Sequence, residues 1–188
     1  MTLVVGITGG IATGKSTVTN YLIKHNYVVL DSDLFSREAL TIDKGCIELV
    51  KQNFDCVTNG EIDRKKLGSI VFHDKKAKKK LEDIVHPYVI KRLKNGIVEN
   101  KDREIVFLDI PLLYECHLEY LCDTIVVVYC DEESQILRLM HRDNIDREYA
   151  KTIINNQMSM SEKLKQADIV LDNSKSKEDL LEQIQKLW

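Results

Sequence analysis

Several features that define other protein classes are missing from this sequence of 188 residues. Its five cysteines include no C-x-x-C pair, and an odd number of them spread from Cys46 to Cys130 suits neither a disulfide framework nor a zinc site. No charged and then apolar leader is present, and the longest apolar runs have only the length of a strand. We therefore expect free thiols in a reducing compartment, and a cytoplasmic protein without a membrane anchor.

The sequence has neither repeats nor low-complexity tracts, and its composition is that of an ordinary globular protein. Hydrophobic residues make up 44% and charged residues 30%, with a formal net charge of −3. The charge is uneven: Arg64 to Lys94 holds 11 Lys and Arg against 3 Asp and Glu, a net charge of +8. Local positive charge attracts anionic ligands whatever the total charge is. For Lys75–Lys80, a solvated helix face or a loop between helices is the alternative.

Short apolar runs rich in β-branched residues alternate with helical patterns along most of the chain. The runs are apolar on both faces, as in a parallel sheet covered by helices, and predict strands at Leu3–Ile7, Tyr27–Leu30, Ile105–Leu108, Thr124–Tyr129 and Ile169–Leu171. Helices are predicted at about Lys15–Lys24, Glu133–His141, Arg147–Met158 and Lys177–Lys186. This order predicts a doubly wound α/β fold with a five-stranded parallel sheet, which binds ligands at the carboxyl ends of its strands.

One long stretch departs from this alternation. Residues of about 34–100 predict several helices and no strand, and therefore a helical insertion between two strands of the sheet. Its longest helix is expected to kink or break at His86-Pro87, because proline lacks a backbone donor and disfavours a helical residue before it. We expect a single domain over 1–188, with a core at about 1–33, 101–137 and 165–188 and a helical lid at about 138–164.

A glycine-rich stretch follows the first predicted strand and precedes the first predicted helix. From Gly9 to Ser16 it reads GGIATGKS, which matches G-x-x-x-x-G-K-[ST] in the strand–loop–helix context that this pattern requires. Glycines let the backbone wrap a polyanion, and the inward N–H groups with the helix N-terminus attract phosphate. Lys15 is expected to reach the β- and γ-phosphates of ATP, and the hydroxyl of Ser16 to coordinate Mg²⁺.

The patterns of other nucleotide-binding P-loop classes are missing. Regulatory GTPases read guanine with N-K-x-D, but the nearest string, Asn100–Arg103, has its aspartate one place early. The D-x-x-G of their switch is also missing after the Ile105–Leu108 strand, and large motor ATPases need a much longer chain. This elimination leaves the small-molecule kinases, which transfer the γ-phosphoryl group of ATP to a hydroxyl.

Acidic residues follow two of the predicted strands, where a kinase needs a carboxylate to orient the acceptor hydroxyl. Asp31 and Asp33 follow the second strand, and Asp33 is the predicted catalytic carboxylate. The alternative is that Asp33 only caps a helix beginning at Leu34. Asp109 ends the third strand, a place from which it could hold Mg²⁺ directly or through water.

Arginines are expected in the lid, where they would neutralise charge during phosphoryl transfer and help to exclude water. Arg138 and Arg142 lie four residues apart on one face of a predicted helix, and Arg147 follows. A solvated charged face is the alternative for any one of them.

A series of short segments extends these observations over essentially the whole chain: Thr8–Ile11, Gly14–Thr17, Asp31–Asp33, Arg37–Glu38, His86–Pro87, Leu108–Glu115, Gln135–Leu139, Arg142–Asp143, Gln157–Ser159, Lys163, Ala167–Asp168 and Asp172–Ser174. Together they resemble the dephospho-coenzyme A kinase family. The block after Leu108 and the lid pattern make this resemblance more specific than the phosphate loop alone would.

The resemblance implies transfer of phosphate from ATP to the ribose 3′-hydroxyl of dephospho-CoA, with Mg²⁺, as the last step of coenzyme A biosynthesis. It implies catalytic roles for Lys15, Asp33, Arg138 and Arg142. The ATP-binding residues would be Gly9, Gly10, Ile11, Ala12, Thr13, Gly14, Lys15, Ser16, Thr17, Arg142 and Asn173. The acceptor would contact the helical insertion, with substrate-binding residues Asp31, Asp33, His86, Leu112 and Tyr114. The metal would be held by Ser16 and Asp109.

Three positions depart from the family pattern. Ala12 stands in place of a common glycine, which is a mild change if its φ is negative. Ile153 stands where an arginine is usual, so that one lid charge is missing, and Lys175 replaces a glycine of the adenine loop.

Other functions stay open at the level of sequence. One is a related kinase of a nucleoside, nucleotide or shikimate type, which differs in its acceptor. Another is an ATP-dependent nucleic-acid-binding module that uses Lys75–Lys80, although no aromatic residues interleave this run. A third is an ATP sensor without catalysis, against which the acidic strand ends argue. We expect ATP and dephospho-CoA as ligands, and neither nucleic acid nor membrane.

Overall fold

Five parallel strands form the main sheet in the computed structural model, which describes residues 2–188. In chain order the elements are β1 (Leu3–Gly9), α1 (Lys15–Lys24), β2 (Val28–Asp31), α2 (Ser32–Thr41), α3 (Lys44–Asn53), β3 (Val57–Thr58), β4 (Glu61–Ile62), α4 (Arg64–His73), α5 (Lys75–Glu99), β5 (Ile105–Asp109), a 3₁₀ turn (Glu119–Leu121), β6 (Thr124–Tyr129), α6 (Glu132–Asp143), α7 (Arg147–Asn155), α8 (Met160–Gln166), β7 (Ile169–Asp172) and α9 (Lys177–Leu187).

The sheet order is β2-β5-β1-β6-β7, and the pairs of β1 with β5, β1 with β6, and β6 with β7 are parallel. The predicted doubly wound α/β fold and its five strands are confirmed. In the register, Ile7 of β1 lies opposite Asp109 of β5, and Gly9 lies opposite Val128 of β6. Because parallel strands end at one edge of the sheet, the loop after β1 and the carboxylate of Asp109 lie at the same edge.

The core of the sheet is formed by strand residues that are buried because helices pack over them. Val5, Ile7, Phe107 and Val126 are each at most 1% exposed. Helices α1 and α9 contribute their apolar sides to this cluster: Val18, Leu22, Leu180 and Ile184. This burial on both strand faces explains why the strand sequences show continuous apolar runs and no alternation.

The chain divides into two compact units. One contains the chain up to Leu30 and Glu99–Trp188, and the other contains Asp31–Val98. The second unit covers nearly the stretch predicted as an insertion, and its own core contains Val50, Phe54 and Leu67.

A short β-hairpin lies in the second unit, where the sequence predicted helices alone. Strands β3 and β4 pair antiparallel, with Val57 opposite Ile62. Between them Asn59 has a φ of 52° and Gly60 a φ of 82°. Two positive φ angles in an Asn-Gly turn are typical of a tight hairpin. The prediction of an insertion without strands is therefore wrong, because this turn chemistry favours a hairpin even between very short strands.

Helix α5 continues through Pro87, so the chain does not break at His86-Pro87 and that part of the prediction is wrong. The alternative, a kink at this point, stays a prediction. Its side chains Val85, Val89 and Leu93 are buried on both sides of the proline. Proline removes one donor from the helix, the one that would serve the carbonyl of Asp83. Packing of the buried face outweighs this local loss. Although α5 has 25 residues, no helix within residues 2–188 is long and apolar enough to cross a membrane.

All five cysteines are free thiols. Burial raises the pKa of the Cys46 and Cys130 thiols to about 11, and that of the Cys122 thiol to about 12. Each of these thiols is therefore protonated at neutral pH, because an apolar environment disfavours the thiolate.

The uninterrupted α5 yields a prediction. Pro87 is exposed, so that Pro87→Ala removes no buried contact while restoring a donor inside the helix. We expect the free energy of unfolding to rise by about 1–3 kcal/mol. Urea unfolding followed by circular dichroism measures this. Lys80→Ala, at another exposed position of α5, is the control and should change stability by less than about 0.5 kcal/mol. No gain for Pro87→Ala would contradict the argument.

Candidate active site

The phosphate loop, Gly9–Ser16, joins the end of β1 to the first turn of α1. Inside it the backbone N–H of Thr13 donates to the Gly10 carbonyl over 3.3 Å, and the Thr13 hydroxyl donates to the same oxygen over 2.9 Å. Gly14 has a φ of 98° and precedes α1 without any side-chain cap. Because no side chain caps the first turn of α1, its N–H groups can receive an anion.

The glycines at both ends of the loop have no room for a side chain. A Cβ at Gly9 would lie 2.6 Å from the Val128 carbonyl oxygen and 2.8 Å from the Thr13 hydroxyl. A Cβ at Gly14 would overlap the side-chain amide of Asn173. That amide is buried and donates to the Thr13 carbonyl over 2.8 Å. Asn173, predicted to bind ATP, thus also supports the loop from the end of β7.

Ala12 has a φ of 61°, so the expectation that a negative φ makes this a mild change is wrong. An L-residue in the left-handed region costs about 1–2 kcal/mol relative to its usual conformation. The methyl group packs, together with Ile11, against a cluster that contains Ile136 and Leu139 of α6. This apolar contact is the compensation that alanine has and glycine lacks.

Lys15 and Asp109 lie together at the centre of the site. The ammonium group of Lys15 pairs with one carboxylate oxygen of Asp109, which is 7% exposed. The sheet register brings them together, because Asp109 ends β5 beside β1 and the loop returns Lys15 to the same edge. Ser16, the other predicted metal ligand, is the next residue of α1 and is exposed. A hydroxyl and a carboxylate are hard oxygen donors, which suit Mg²⁺.

Arg138 lies on α6 and faces Asn173, the residue that follows β7. One guanidinium nitrogen, Nη2, donates to the Asn173 carbonyl over 2.9 Å. The other, Nη1, is buried and has no hydrogen-bond partner among the residues that the structure describes. A buried donor without a partner costs stability, and such atoms in native proteins call for an explanation.

Arg142 does not share the environment of Arg138, although both lie on α6. Its guanidinium group makes two hydrogen bonds with the carboxylate of Asp143, at 2.7 and 2.8 Å. This pairing holds the pKa of Asp143 below its usual range. Arg147 likewise pairs with Glu133, over 2.7 and 2.5 Å. Arg142 and Arg147 are therefore both paired with nearby carboxylates in this structure.

Asp31 and Asp33 have different environments at the start of α2. The Asp31 carboxylate accepts the backbone N–H groups of Asp33, over 2.8 Å, and of Leu34, over 3.1 Å, and so caps the helix. The alternative in which Asp33 caps a helix that begins at Leu34 is wrong, because α2 already begins at Ser32. Asp33 lies in the first turn and is exposed.

The other predicted substrate-binding residues lie in three different settings. His86 is half-buried on α5, in the second unit, and Leu112 is 37% exposed after β5. Tyr114 is only 1% exposed, and its hydroxyl has no hydrogen-bond partner within residues 2–188. Desolvation raises the pKa of Tyr114 to about 12. A ring so deeply buried presents no surface to a ligand in this structure.

The departures Ile153 and Lys175 also have different environments. Ile153 of α7 packs against the cluster formed by Ile136, Leu139 and Ala150, so an apolar contact stands where the family usually has an arginine. Lys175 is exposed in the loop after β7.

Two glutamines and a buried ion pair lie at the site in the structure, although they were not predicted as site residues. Gln135 and Gln157 both bond to the backbone of Ile11. The Lys163 ammonium is 0% exposed and pairs with Glu115 over 2.8 Å. All four residues lie in segments that resemble the family, and this resemblance could have pointed to them as site residues. Their contacts, which span up to 146 positions in sequence, follow no local pattern.

The sheet order, the phosphate loop before α1 and the Lys15–Asp109 pair together define a P-loop kinase. The family model for dephospho-CoA kinase, CoaE, matches residues 3–179. A dephospho-CoA kinase of Oceanobacillus iheyensis is 45% identical over 184 residues, which cover 95% of this chain and 92% of the relative. The chain belongs to the dephospho-CoA kinase family.

Solved structures agree with this assignment. The crystal structure of TT1252 from Thermus thermophilus has a TM-score of 0.86 and 35% identity, covering 99% of this chain and 96% of that one. The dephospho-CoA kinase from Campylobacter jejuni has a TM-score of 0.73 and 31% identity, covering 100% and 98%.

The positive φ of Ala12 yields a prediction. Ala12→Gly should leave the free energy of unfolding within about 1 kcal/mol of the wild type, because relief of strain is offset by unfolded-chain entropy and the lost methyl contact. Ala12→Val should cost about 2 kcal/mol or more, because a β-branched residue tolerates positive φ poorly. Urea unfolding measures both.

The matched control is Ala167→Val, at a half-buried alanine whose φ is −77°. Valine should cost less there than at Ala12, since an extended conformation suits a β-branched residue. Equal costs at the two positions would show that the backbone of Ala12 is unstrained.

Proposed function

We propose that the chain transfers the γ-phosphoryl group of ATP to the ribose 3′-hydroxyl of dephospho-CoA, the final step of coenzyme A biosynthesis. Membership of the family supports the acceptor, and its relatives are named for this activity. The observation that carries the chemistry is the pairing of Lys15 with Asp109 at the mouth of the phosphate loop. This arrangement sets a cation and a carboxylate beside an uncapped helix N-terminus.

The phosphate loop binds the donor. Backbone N–H groups of the loop and of the first turn of α1 surround the β- and γ-phosphates, and Lys15 exchanges part of its contact with Asp109 for the phosphate oxygens. Lys15 then stabilises negative charge as the bond to the leaving ADP lengthens. Without nucleotide, Asp109 keeps this ammonium group in place, so that little reorganisation is needed on binding.

Mg²⁺ fits the oxygen donors of Ser16 and Asp109. Within residues 2–188 no group of three or more His, Cys, Asp or Glu side chains is placed to hold a metal. A site of one or two protein oxygens completed by phosphates and water is ordinary for Mg²⁺. The ion supplies charge neutralisation across the β- and γ-phosphates when it is bound. The chain's contribution is to hold the hydroxyl of Ser16 and the carboxylate of Asp109 near those oxygens.

Asp33 is the proposed acceptor-side carboxylate, which orients the 3′-hydroxyl and accepts its proton. Its position two residues after the end of β2 supports this role, since ligands of such sheets bind at the carboxyl ends of the strands. Asp31 is less suited to proton transfer, because its oxygen accepts two backbone N–H groups at the cap.

Arg138 is the proposed lid arginine for charge stabilisation. Its Nη1 atom is buried and unpartnered in the described structure, and a movement of the lid that exposes this atom would let a phosphate oxygen of the bound donor satisfy it. Arg142 and Asn173 are proposed as further ATP contacts, with Arg142 first releasing Asp143. His86 and Leu112 are proposed to contact the acceptor, and Tyr114 to support that region from within. A cytoplasmic location stays a prediction from the free thiols.

The assignment predicts how rate depends on acceptor size. Binding energy from parts of a substrate remote from the hydroxyl can orient that hydroxyl, so truncated acceptors should lose kcat as well as affinity. We expect kcat/KM to fall steeply from dephospho-CoA to AMP and again to adenosine, in a coupled assay that detects ADP. Equal use of adenosine and dephospho-CoA would leave a P-loop kinase with a different acceptor.

The basic surface of α5 gives a second arm of this test. Arg92 is unsuitable for a charge-reversal variant, because it pairs with Glu38 over 3.1 Å and lies 4.8 Å over the ring of Phe35, so that its loss would also disturb the fold. Its neighbour Lys91 is exposed. Lys91→Glu should raise KM for dephospho-CoA at low salt and leave KM for ATP nearly unchanged, because screening weakens attraction between exposed charges. If KM for dephospho-CoA changes neither with salt nor with this substitution, the basic surface of α5 does not attract the acceptor.

The two aspartates at α2 give a matched pair of variants. Asp33→Asn should lower kcat by at least about a hundredfold, as expected for loss of a general base, with little change in KM for ATP. Asp31→Asn preserves a good helix cap, so it should keep both the fold and most of the rate. Steady-state kinetics at saturating ATP measures both variants. The reverse order of losses would assign the role to Asp31.

A further inference from the structure

Both polar backbone groups of Ile11 in the phosphate loop are held by side-chain amides. The Ile11 N–H donates to Oε1 of Gln157 over 2.7 Å, and the Ile11 carbonyl accepts Nε2 of Gln135 over 2.8 Å. Gln135 comes from α6 and is 2% exposed, while Gln157 comes from the connection between α7 and α8. We call these two side chains the amide clamp.

The amide clamp acts on the part of the loop that is most strained. Ile11 directly precedes Ala12, whose positive φ persists only if the surroundings fix the backbone. On the other side, a Cβ at Gly10 would lie 2.6 Å from Nε2 of Gln135 and 2.9 Å from the sulfur of Met160. Gln135 therefore lies directly against the loop backbone at Gly10 as well as at Ile11.

Gln157 is itself anchored through the next residues of its segment. The Met158 N–H donates to the Glu115 carboxylate over 3.1 Å, and the buried Lys163 ammonium donates to the same carboxylate over 2.8 Å. Lys163 also donates to the Pro111 carbonyl over 3.3 Å. A charge as buried as that of Lys163 is tolerated only with such partners. The segment is thereby tied to the loop that follows Asp109.

We propose that Gln135 and Gln157 are positioning residues for the donor nucleotide, which hold the phosphate loop in its anion-binding conformation before the nucleotide arrives. The buried pair of Lys163 and Glu115 sets the place of Gln157. Preorganisation of this kind removes an ordering cost from binding, so its loss weakens binding of the diphosphate and triphosphate of a nucleoside. Loss of the amide clamp should not weaken binding of the acceptor in the same way. The inference rests on the proposed function in that the donor is ATP.

The test compares ADP binding by isothermal titration calorimetry in Gln157→Met, a variant of similar length that lacks the amide oxygen. We expect the Kd for ADP to rise about five- to tenfold, as expected when one hydrogen bond is lost and its N–H is left unsatisfied. KM for dephospho-CoA should stay within about twofold of the wild type. Gln135→Met should behave in the same way, since it removes the other half of the clamp.

Gln166→Met is the matched control. Gln166 is an exposed glutamine of α8, and within residues 2–188 its hydrogen bonds reach only the Met158 sulfur and the Glu162 carbonyl. It should bind ADP like the wild type. Thermal unfolding establishes that each variant is folded at the temperature of the titration. If both clamp variants are folded and bind ADP within about twofold of the control, the inference is overturned, because a purely structural role lowers stability alone.

A measurement on the wild type keeps the inference testable if the clamp variants do not fold. The Ile11 amide proton should exchange slowly with solvent in the nucleotide-free protein, because it is bonded to Gln157. Fast exchange overturns the inference. If the wild type binds no ADP at all, the proposed function fails as well. Normal binding by the wild type with unaffected clamp variants overturns the positioning role alone.

Discussion

A stretch of backbone that binds a polyanion must point its N–H groups at one place, and this constraint determines how closely the rest of the protein packs around the phosphate loop. Gly9 and Gly14 lie where a Cβ would meet the Val128 carbonyl and the Asn173 amide. The loop is thus surrounded by the ends of β6 and β7, and it can keep a conformation that few residues adopt alone. The sheet, the Asn173 side chain after β7 and helix α6 all contribute to the position of one short turn.

The parallel sheet also places the carboxylate of Asp109 in the site. Because β1 pairs with β5, the carboxyl end of β5 delivers Asp109 to Lys15 at the end of the phosphate loop. The burial and register of both strands fix the position of Asp109, and the phosphate loop returns Lys15 to the same edge of the sheet. The proposed acceptor-side carboxylate, Asp33, has a different origin, at the start of α2 after β2, where Asp31 caps the helix and Asp33 is exposed.

The sequence predicted the parts of the structure that local patterns determine. The strands were predicted to within about two residues, because buried parallel strands are continuous apolar runs. Lys15 and Asp109 were chosen as candidate residues because the phosphate-loop pattern and acidic strand ends can be recognised in the sequence. The hairpin at Asn59-Gly60 was missed although its turn residues were visible, since strands of two residues leave no alternation to read. The continuity of α5 through Pro87 follows from tertiary packing, which overrides local preference.

The remaining differences come from contacts between distant parts of the chain. The φ of Ala12 depends on what surrounds the loop, and the bonds of Gln135 and Gln157 to Ile11 join positions more than 120 residues apart. No periodicity or spacing encodes such contacts. In the sequence, Asp33 fitted both a helix cap and a catalytic group, because the two roles use the same residue type. The start of α2 at Ser32 removes the cap, and the catalytic role stays a prediction.

The buried thiols have a consequence for the chemistry of the enzyme's own substrate. Coenzyme A and its precursor end in a thiol, which can form disulfides, and exchange with a protein cysteine requires the protein thiolate as attacking group. With a pKa of about 11, Cys46 and Cys130 are ionised in only roughly one molecule in ten thousand at pH 7. At Cys46 and Cys130, an oxidised, disulfide-linked form of the acceptor therefore meets thiols that react slowly, and burial protects these two cysteines from mixed disulfides.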